Sequence, residues 1–345
     1  MNSLFDLSIF PAVVAAVVSY LCVPALINLA EKAGIVDDPK LNKHPKVIHT
    51  YPVPRGGGAC VVVGVLVSSL FFLPLDRHLF GITLGALVVT LLGLFDDKYN
   101  INPYIRVLIQ ILAASIPIIS GIGITFATNP LGGIIDLSEP RFLSDLLAIF
   151  WIVFMMNMLN MGAKGVDGQL PGVVAIASLA IVTISLRFSA DIAQWPVAIL
   201  ASAVMGAYLG FLPWNFYPQK VMPGFSGSTL AGYFLAVLSI LSTAKVGTLI
   251  VSLGVPLVDT GYAIARRILS GKSPVWGDRE HLHHKLLELG FSKRQVALLY
   301  WVATFMLYIL AININAQSKL YVVFATAVVI GGILFWLTYR PKKKS

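Results

Sequence analysis

Leu79-Phe80-Gly81-Ile82-Thr83-Leu84-Gly85-Ala86-Leu87-Val88-Val89-Thr90-Leu91-Leu92-Gly93-Leu94-Phe95 carries no charge and runs directly into Asp96-Asp97. A helix rises about 1.5 Å per residue, so a run of this length approaches the roughly 30 Å of a bilayer's hydrocarbon core. Nothing in lipid can satisfy backbone amides from outside, so such a run must be helical there. The stretch therefore reads as a membrane helix with two carboxylates at its end.

Comparable apolar runs lie at 7–29, 58–73, 105–124, 142–158, 173–186, 195–212, 229–241, 245–264, 295–314 and 320–338. Together they predict an all-α, polytopic transmembrane bundle of about eleven spans (10–11). The first run has no basic segment before it and no small-residue cleavage site after Leu29-Ala30-Glu31-Lys32, which predicts a retained helix. No second, soluble domain and no tandem repeat is evident, so residues 1–345 are expected to form one integral membrane domain.

The composition agrees. Of the residues, 57% are hydrophobic and 12% charged, against about 25% charged in soluble domains. A single water-soluble core cannot hide that much apolar surface. The net charge of +9 does not point to nucleic acid, because the basic residues sit in short loops between apolar runs. With the N-terminus outside, 20 of the 25 Lys and Arg residues fall on cytoplasmic segments, the bias expected of inner loops. These segments are 30–57, 95–104 with Arg106 just past its end, 159–172, 213–228, 265–294 and the tail, whose Lys342 to Lys344 would lie near anionic lipids. The C-terminus is then cytoplasmic, and the loop from Thr125 to Arg141 is outside. Cys22 and Cys60 fall inside apolar runs and read as small buried hydrophobes.

The chemistry-bearing residues share the same face. Val36-Asp37-Asp38-Pro39, His49 and Pro52-Val53-Pro54-Arg55-Gly56-Gly57-Gly58 form a loop whose glycines let backbone approach a phosphate, with Arg55 able to fork onto it. Asp96 and Asp97 are adjacent carboxylates at a membrane boundary, suited to Mg²⁺ or to a proton. Asn157 and Asn160 are three apart on one helix face and lead into Lys164-Gly165-Val166-Asp167-Gly168. Asp259 lies in an apolar helix two turns before Arg266-Arg267, either as a functional acid or as an arginine partner. In Asp278-Arg279-Glu280-His281-Leu282-His283-His284-Lys285 the histidines are too closely spaced for an ordinary zinc site, so phosphate contact or proton transfer fits better.

In their order and on one side, these loops resemble the polyprenyl-phosphate N-acetylhexosamine-1-phosphate transferase superfamily, of the glycosyltransferase family 4 type, over residues 7–338. The marks are His49 to Gly58, Phe95-Asp96-Asp97, Asn157 to Gly168, Pro218 to Ser228, Pro256 to Asp259, and Asp278 to His284. Glu280-His281-Leu282-His283-His284 followed by Leu289-Gly290-Phe291-Ser292 looks like the branch that uses UDP-N-acetylhexosamine.

The resemblance implies transfer of a sugar 1-phosphate, GlcNAc-1-phosphate being favoured, from a UDP-sugar to undecaprenyl phosphate with release of UMP. It implies a multi-pass protein of the cytoplasmic membrane, in contact with membrane lipids, at the first membrane step of an envelope glycan. It also admits a homodimer. Asp96, Asp97, Asp167, His281, His283 and His284 are the expected catalytic residues. His49, Arg55, Asn157, Asn160, Lys164, Lys220, Asp259 and Arg279 are the expected substrate contacts, and Asp96, Asp97 and Asp167 the expected ligands of Mg²⁺, with Mn²⁺ as an alternative.

Two positions depart from the family pattern. Lys164 stands, after a one-residue insertion, where relatives place a first Asp, and Phe225 stands where they place an Asp before Ser-Gly-Ser. A phenyl ring cannot ligate Mg²⁺, so a weakened metal dependence is expected, with Lys164 meeting phosphate oxygens directly. The same losses motivate a rival reading as a non-catalytic binding homologue. A transporter is disfavoured, because the polar residues gather in loops rather than at the membrane midplane.

Overall fold

The computed structural model describes residues 5–42, 47–129, 132–241, 244–273 and 280–339. Lys43, Lys46, Asp278, Arg279 and the basic tail from Arg340 lie outside them. Among the described residues the chain forms thirteen α-helices, two π-helical segments and two short strand pairs. The helices in order are α1 (Phe10–Ala33), α2 (Gly58–Phe72), α3 (Arg77–Tyr99), α4 (Pro103–Ile119), α5 (Arg141–Met158), α6 (Gln169–Arg187) and α7 (Gln194–Asn215). Then come α8 (Gly224–Ile240), α9 (Ala244–Ser252), α10 (Gly254–Leu269), α11 (Leu282–Glu288), α12 (Lys293–Asn313) and α13 (Ala316–Tyr339). The all-α expectation holds, and every apolar run read from the sequence is helical.

Among the described residues seven helices are long and apolar enough to cross a membrane, or eight if the bent pair α9 and α10 counts as one. α2, α4 and α8 are apolar but shorter. The run at 245–264 is not one straight helix, since its two halves meet at 76°. Pro256 accounts for the break: it has no N–H to give to the Ser252 carbonyl, and its ring would clash there. The expected loop at 265–294 also contains α11, and the loop after α4 contains an antiparallel pair, Phe126–Thr128 with Ile134–Asp136.

At the centre stands α8, with every residue from Gly224 to Ile240 buried. It packs on α3, α5, α2, α6, α7 and α9. Close approach is possible because the contact residues are small. A Cβ on Gly232 would lie 2.3 Å from the Met155 carbonyl of α5, and one on Gly93 would lie 2.2 Å from the Cα of Ser226. Helices in lipid gain little from hydrophobicity when they associate, so such close packing supplies the attraction. By contrast α13 turns Tyr321, Val328, Phe335 and Trp336 outward, as a lipid-facing helix must.

The bundle has two chemically different ends. At one, Met222 N–H donates to the Pro54 carbonyl (2.8 Å) and Gly57 N–H to the Met222 carbonyl (3.0 Å), joining the first loop to the segment before α8. At the other, Arg77 donates to the Ile119 carbonyl and Arg187 to Asn313. Asp96, Asp97, Asp167, Asp259 and the segment His281 to His284 belong to the first end.

Candidate active site

Asp96 and Asp97 occupy the last turn of α3, where the helix dipole disfavours negative charge. Both are buried, and cations offset that penalty. Arg106 Nε pairs with Asp96 at 2.5 Å, and Arg55 Nε with Asp97 at 3.3 Å. The chain can turn from α3 toward Arg106 because Asn100 takes the left-handed conformation (φ 50°), which asparagine tolerates. Its amide oxygen then accepts from Arg106 Nη2 at 2.8 Å.

Asp97 is also the N-terminal cap of α8, supplied from another helix. Its carboxylate accepts from Phe225 N–H (2.7 Å), Ser226 N–H (3.3 Å) and Ser226 Oγ (2.9 Å). Those amides have no partner within α8, so a carboxylate there satisfies them and the positive end of the dipole together. Gly224 makes the approach possible: its φ is +70° and a Cβ would fall 2.1 Å from Asp97 Oδ2.

Beyond α5 the chain widens into the π-helical segment Leu159–Ala163, a distortion that often marks functional sites. It places Asn160 and Lys164 against the start of α8. Lys164 Nζ donates to Asn160 Oδ1 (2.8 Å) and to the Gly224 carbonyl (3.2 Å), and Ser228 Oγ donates to the same Asn160 oxygen (2.7 Å). Phe225 lies 5.1 Å beneath the Arg106 guanidinium, a cation–π contact that steadies the partner of Asp96.

The segment from Gly162 to Gly168 is braced by two amides that the sequence reading passed over. Gln169 Oε1 accepts from Gly165 N–H and Val166 N–H, both at 3.1 Å, and Asn215 Oδ1 accepts from Gly168 N–H at 3.1 Å. This leaves Asp167 buried, with Oδ1 3.6 Å from Lys293 Nζ and Oδ2 without a hydrogen-bond partner among the described residues. Burial pushes the Asp167 carboxyl above its ordinary value of 3.8, and Lys293 offsets the rise only in part. Tyr51, whose hydroxyl donates to the Gln219 carbonyl (3.0 Å), is raised by burial and then by the Asp167 charge.

The histidines form a second cluster across the same segment. His281 Nδ1 lies 3.2 Å from Asp259 Oδ2, Leu282 N–H donates to Asp259 Oδ1 (2.8 Å), and Arg267 Nη2 faces His281 Nε2 at 3.4 Å. With Arg267 a fixed donor, Nε2 is the acceptor and Nδ1 carries the proton toward Asp259. Asp259 therefore serves a histidine and orients it. The His283 ring stacks on His281 (5.6 Å, 9°), and a Cβ on Gly165 would stand 2.2 Å from its Cγ. Glycine at 165 thus lets the two clusters touch.

Of the residues expected at the site, Arg55, Asp96, Asp97, Asn160, Lys164, Asp167, Asp259, His281, His283 and His284 gather at this end. His49 faces the Asp37 carbonyl (3.2 Å) and ties down its own loop. Asn157 donates to Gln110 (2.8 Å) and to the Val153 carbonyl (2.8 Å), inside the bundle. Lys220 is exposed over the Trp214 ring, and Arg279 lies outside the described residues. Arg106, Gln169, Asn215 and Lys293 were not singled out by the sequence reading, and of the pair Arg266-Arg267 it is Arg267 that faces His281.

The expected Mg²⁺ ligands do not form a metal-holding set. Among the described residues no three His, Cys, Asp or Glu side chains group around a common point. Asp97 gives both oxygens to α8, and each of the three carboxylates already faces a protein cation.

The family profile described as glycosyl transferase family 4 matches residues 79–243, which span α3 to α8 and hold the acidic cluster. A Bacillus subtilis (strain 168) protein named a probable undecaprenyl-phosphate N-acetylglucosaminyl 1-phosphate transferase is 33% identical, covering 90% of this chain and 88% of that protein. The decaprenyl-phosphate N-acetylglucosaminephosphotransferase of Mycobacterium leprae (strain TN) is 30% identical over 84% of this chain and 79% of its own. An undecaprenyl-phosphate alpha-N-acetylglucosaminyl 1-phosphate transferase of Haemophilus influenzae (strain KW20) is 29% identical over 96% and 92%. With its membrane helices, its one-ended cluster of acids, cations and histidines, and relatives aligned along most of its length, this chain belongs to glycosyl transferase family 4 as a multi-pass protein of the cell membrane.

Proposed function

We propose that the protein transfers GlcNAc-1-phosphate from UDP-GlcNAc to undecaprenyl phosphate, releasing UMP. The carrying observation is the meeting of Asp96, Asp97, Arg55, Arg106, Asn160 and Lys164 at the buried start of α8, where both reactants' phosphates can be held. A phosphate oxygen of the lipid attacks the β-phosphorus of the donor. The bond from that phosphorus to the oxygen bridging the α-phosphate breaks, and this oxygen leaves on UMP with the electron pair. A phosphate monoester is largely dianionic near neutral pH, its second pKa being about 6, so the attack needs no strong base.

The protein's task is to bring two polyanions together and to hold charge that spreads over the transferring phosphoryl oxygens. Arg55 and Lys164 supply fixed positive charge. The His283 ring, stacked on a His281 that Asp259 and Arg267 hold in place, stands beside the same segment. Asp97 is a positioning residue that fixes the start of α8. Asp96 is the carboxylate best placed to take a proton from a monoanionic lipid phosphate. We place this end of the bundle in the cytoplasm, where UDP-sugars are made, in line with the basic-residue bias.

The deciding experiment incubates the purified protein with undecaprenyl phosphate and a panel of UDP-sugars while UMP is measured. UMP release that needs both lipid and UDP-GlcNAc supports the reading. Binding of UDP-sugar with no UMP under any metal condition supports a non-catalytic homologue instead.

A further inference from the structure

We infer that fixed protein cations, led by Lys164, replace a protein-bound divalent ion in this chain. The inference rests on the transferase reading for its kinetic test but not for its binding test.

The first ground is ligand supply. Asp97 is committed to Phe225 N–H, Ser226 N–H and Ser226 Oγ, and Asp96 to Arg106 and to Ile101 N–H (3.1 Å). Asp167 stands apart with Lys293. To ligate a metal, Asp97 would have to leave the α8 amides unsatisfied in a buried place, at the cost of a desolvated donor.

The second ground is charge. Around the start of α8 two carboxylates, Asp96 and Asp97, face three cations, Arg55, Arg106 and Lys164, which leaves one net positive charge. Both Lys164 and Arg55 lie within electrostatic range of Asp96. A divalent ion added there would meet net repulsion in a region where solvent screens poorly, whereas a diphosphate would meet attraction.

The third ground is Phe225. It is 3% exposed and its ring lies under Arg106. An aromatic face holds a guanidinium in place and offers a metal nothing. Lysine at 164 and phenylalanine at 225 thus act in one direction, one adding a cation and the other fastening a second. The lysine ammonium bears on the diphosphate as a point charge, which needs no coordination geometry.

Two measurements test this. In the first, the purified protein is titrated with Mn²⁺ and the free ion is followed by electron paramagnetic resonance. In the second, UMP release from UDP-GlcNAc and undecaprenyl phosphate is compared in EDTA and in MgCl₂. We expect no stoichiometric Mn²⁺ site, turnover in EDTA within about twofold of that in MgCl₂, and a loss of about 10²-fold in Lys164→Ala that added Mg²⁺ does not restore. Lys164→Arg should recover part of that loss. The paired variant Lys164→Asp with Phe225→Asp should gain a Mn²⁺ site.

Stoichiometric Mn²⁺ binding by the wild type that disappears in Asp96→Asn overturns the inference, as does abolition of its turnover by EDTA. If no UDP-sugar yields UMP in either condition, the transferase reading fails, and the Mn²⁺ titration alone then decides the inference.

Discussion

Asp97 joins two tasks in one side chain, because the carboxylate that caps α8 also pairs directly with Arg55. Asp97→Asn keeps a carbonyl acceptor for one α8 amide while removing the charge. It should lower turnover by about 10²-fold and still give a monodisperse protein in detergent. His281→Ala should cost a similar factor, since Asp259 and Arg267 would then pair without an imidazole between them. Near-normal rates in both variants would remove these residues from the chemistry. Asp167 makes a pH-dependent contribution. Its carboxyl is raised by burial, so the native state holds this proton more tightly than the unfolded chain. Folding is therefore favoured by this group at low pH, and that contribution is lost as pH rises through the native value. Activity should follow the opposite course if the ionised form faces Lys293 and the donor. The rate should then fall on acidification above the ordinary carboxylate range, and Asp167→Asn should abolish that acid limb. A limb unchanged in Asp167→Asn would assign it to another group.

At the scale of elements, glycines divide into those that set helix spacing and those that do not. Gly232→Ala drives a methyl into the Met155 carbonyl and the Met156 Cα, at 2.3 and 2.4 Å. Backbone cannot yield as a side chain can, so about 1–3 kcal/mol of destabilisation is expected. Gly261 on α10 has nothing within 4 Å of a new Cβ, and Gly261→Ala should be neutral or stabilising by up to about 1 kcal/mol. Thermal unfolding in detergent compares the two, and equal midpoints would contradict the packing account. The helices themselves were legible because lipid demands uninterrupted apolar runs, and Asp96, Asp97, Lys164 and Asp167 were legible because charge beside such runs is conspicuous. Less visible was what depends on contacts between distant segments. Gln169 reads as one more polar residue of the 159–172 segment until Gly165 and Val166 fold back onto it, and Arg106 reads as a lone cation at the head of the 105–124 run until Asn100 turns the chain. The break before Pro256 was masked because both halves of the run are apolar, and the Phe126–Asp136 hairpin because its strands are three residues each.

At the scale of the molecule, the two ends of the bundle predict its placement in the membrane. The Phe126–Asp136 hairpin lies at the end away from the acid and histidine clusters, and the basic loops lie at the other. In a background with Cys22 and Cys60 replaced by alanine, Asp136→Cys should react with a membrane-impermeant maleimide from the outer face of intact cells. Labelling only after the inner face is exposed would invert the topology.

The enclosure of α8 also bears on how the chain is made. Apart from α9, the helices that pack against it, α2, α3, α5, α6 and α7, all precede it in the sequence. When α8 leaves the ribosome its socket has therefore already been synthesised. Its 17 residues span only about 25 Å as a helix, less than the roughly 30 Å of hydrocarbon that a helix crossing alone has to cover. It need not cross alone. The segment can pass from the insertion machinery into a protein-lined slot, where the Asp97 carboxylate of the earlier α3 meets its first amides, so that one step both inserts this helix and caps it.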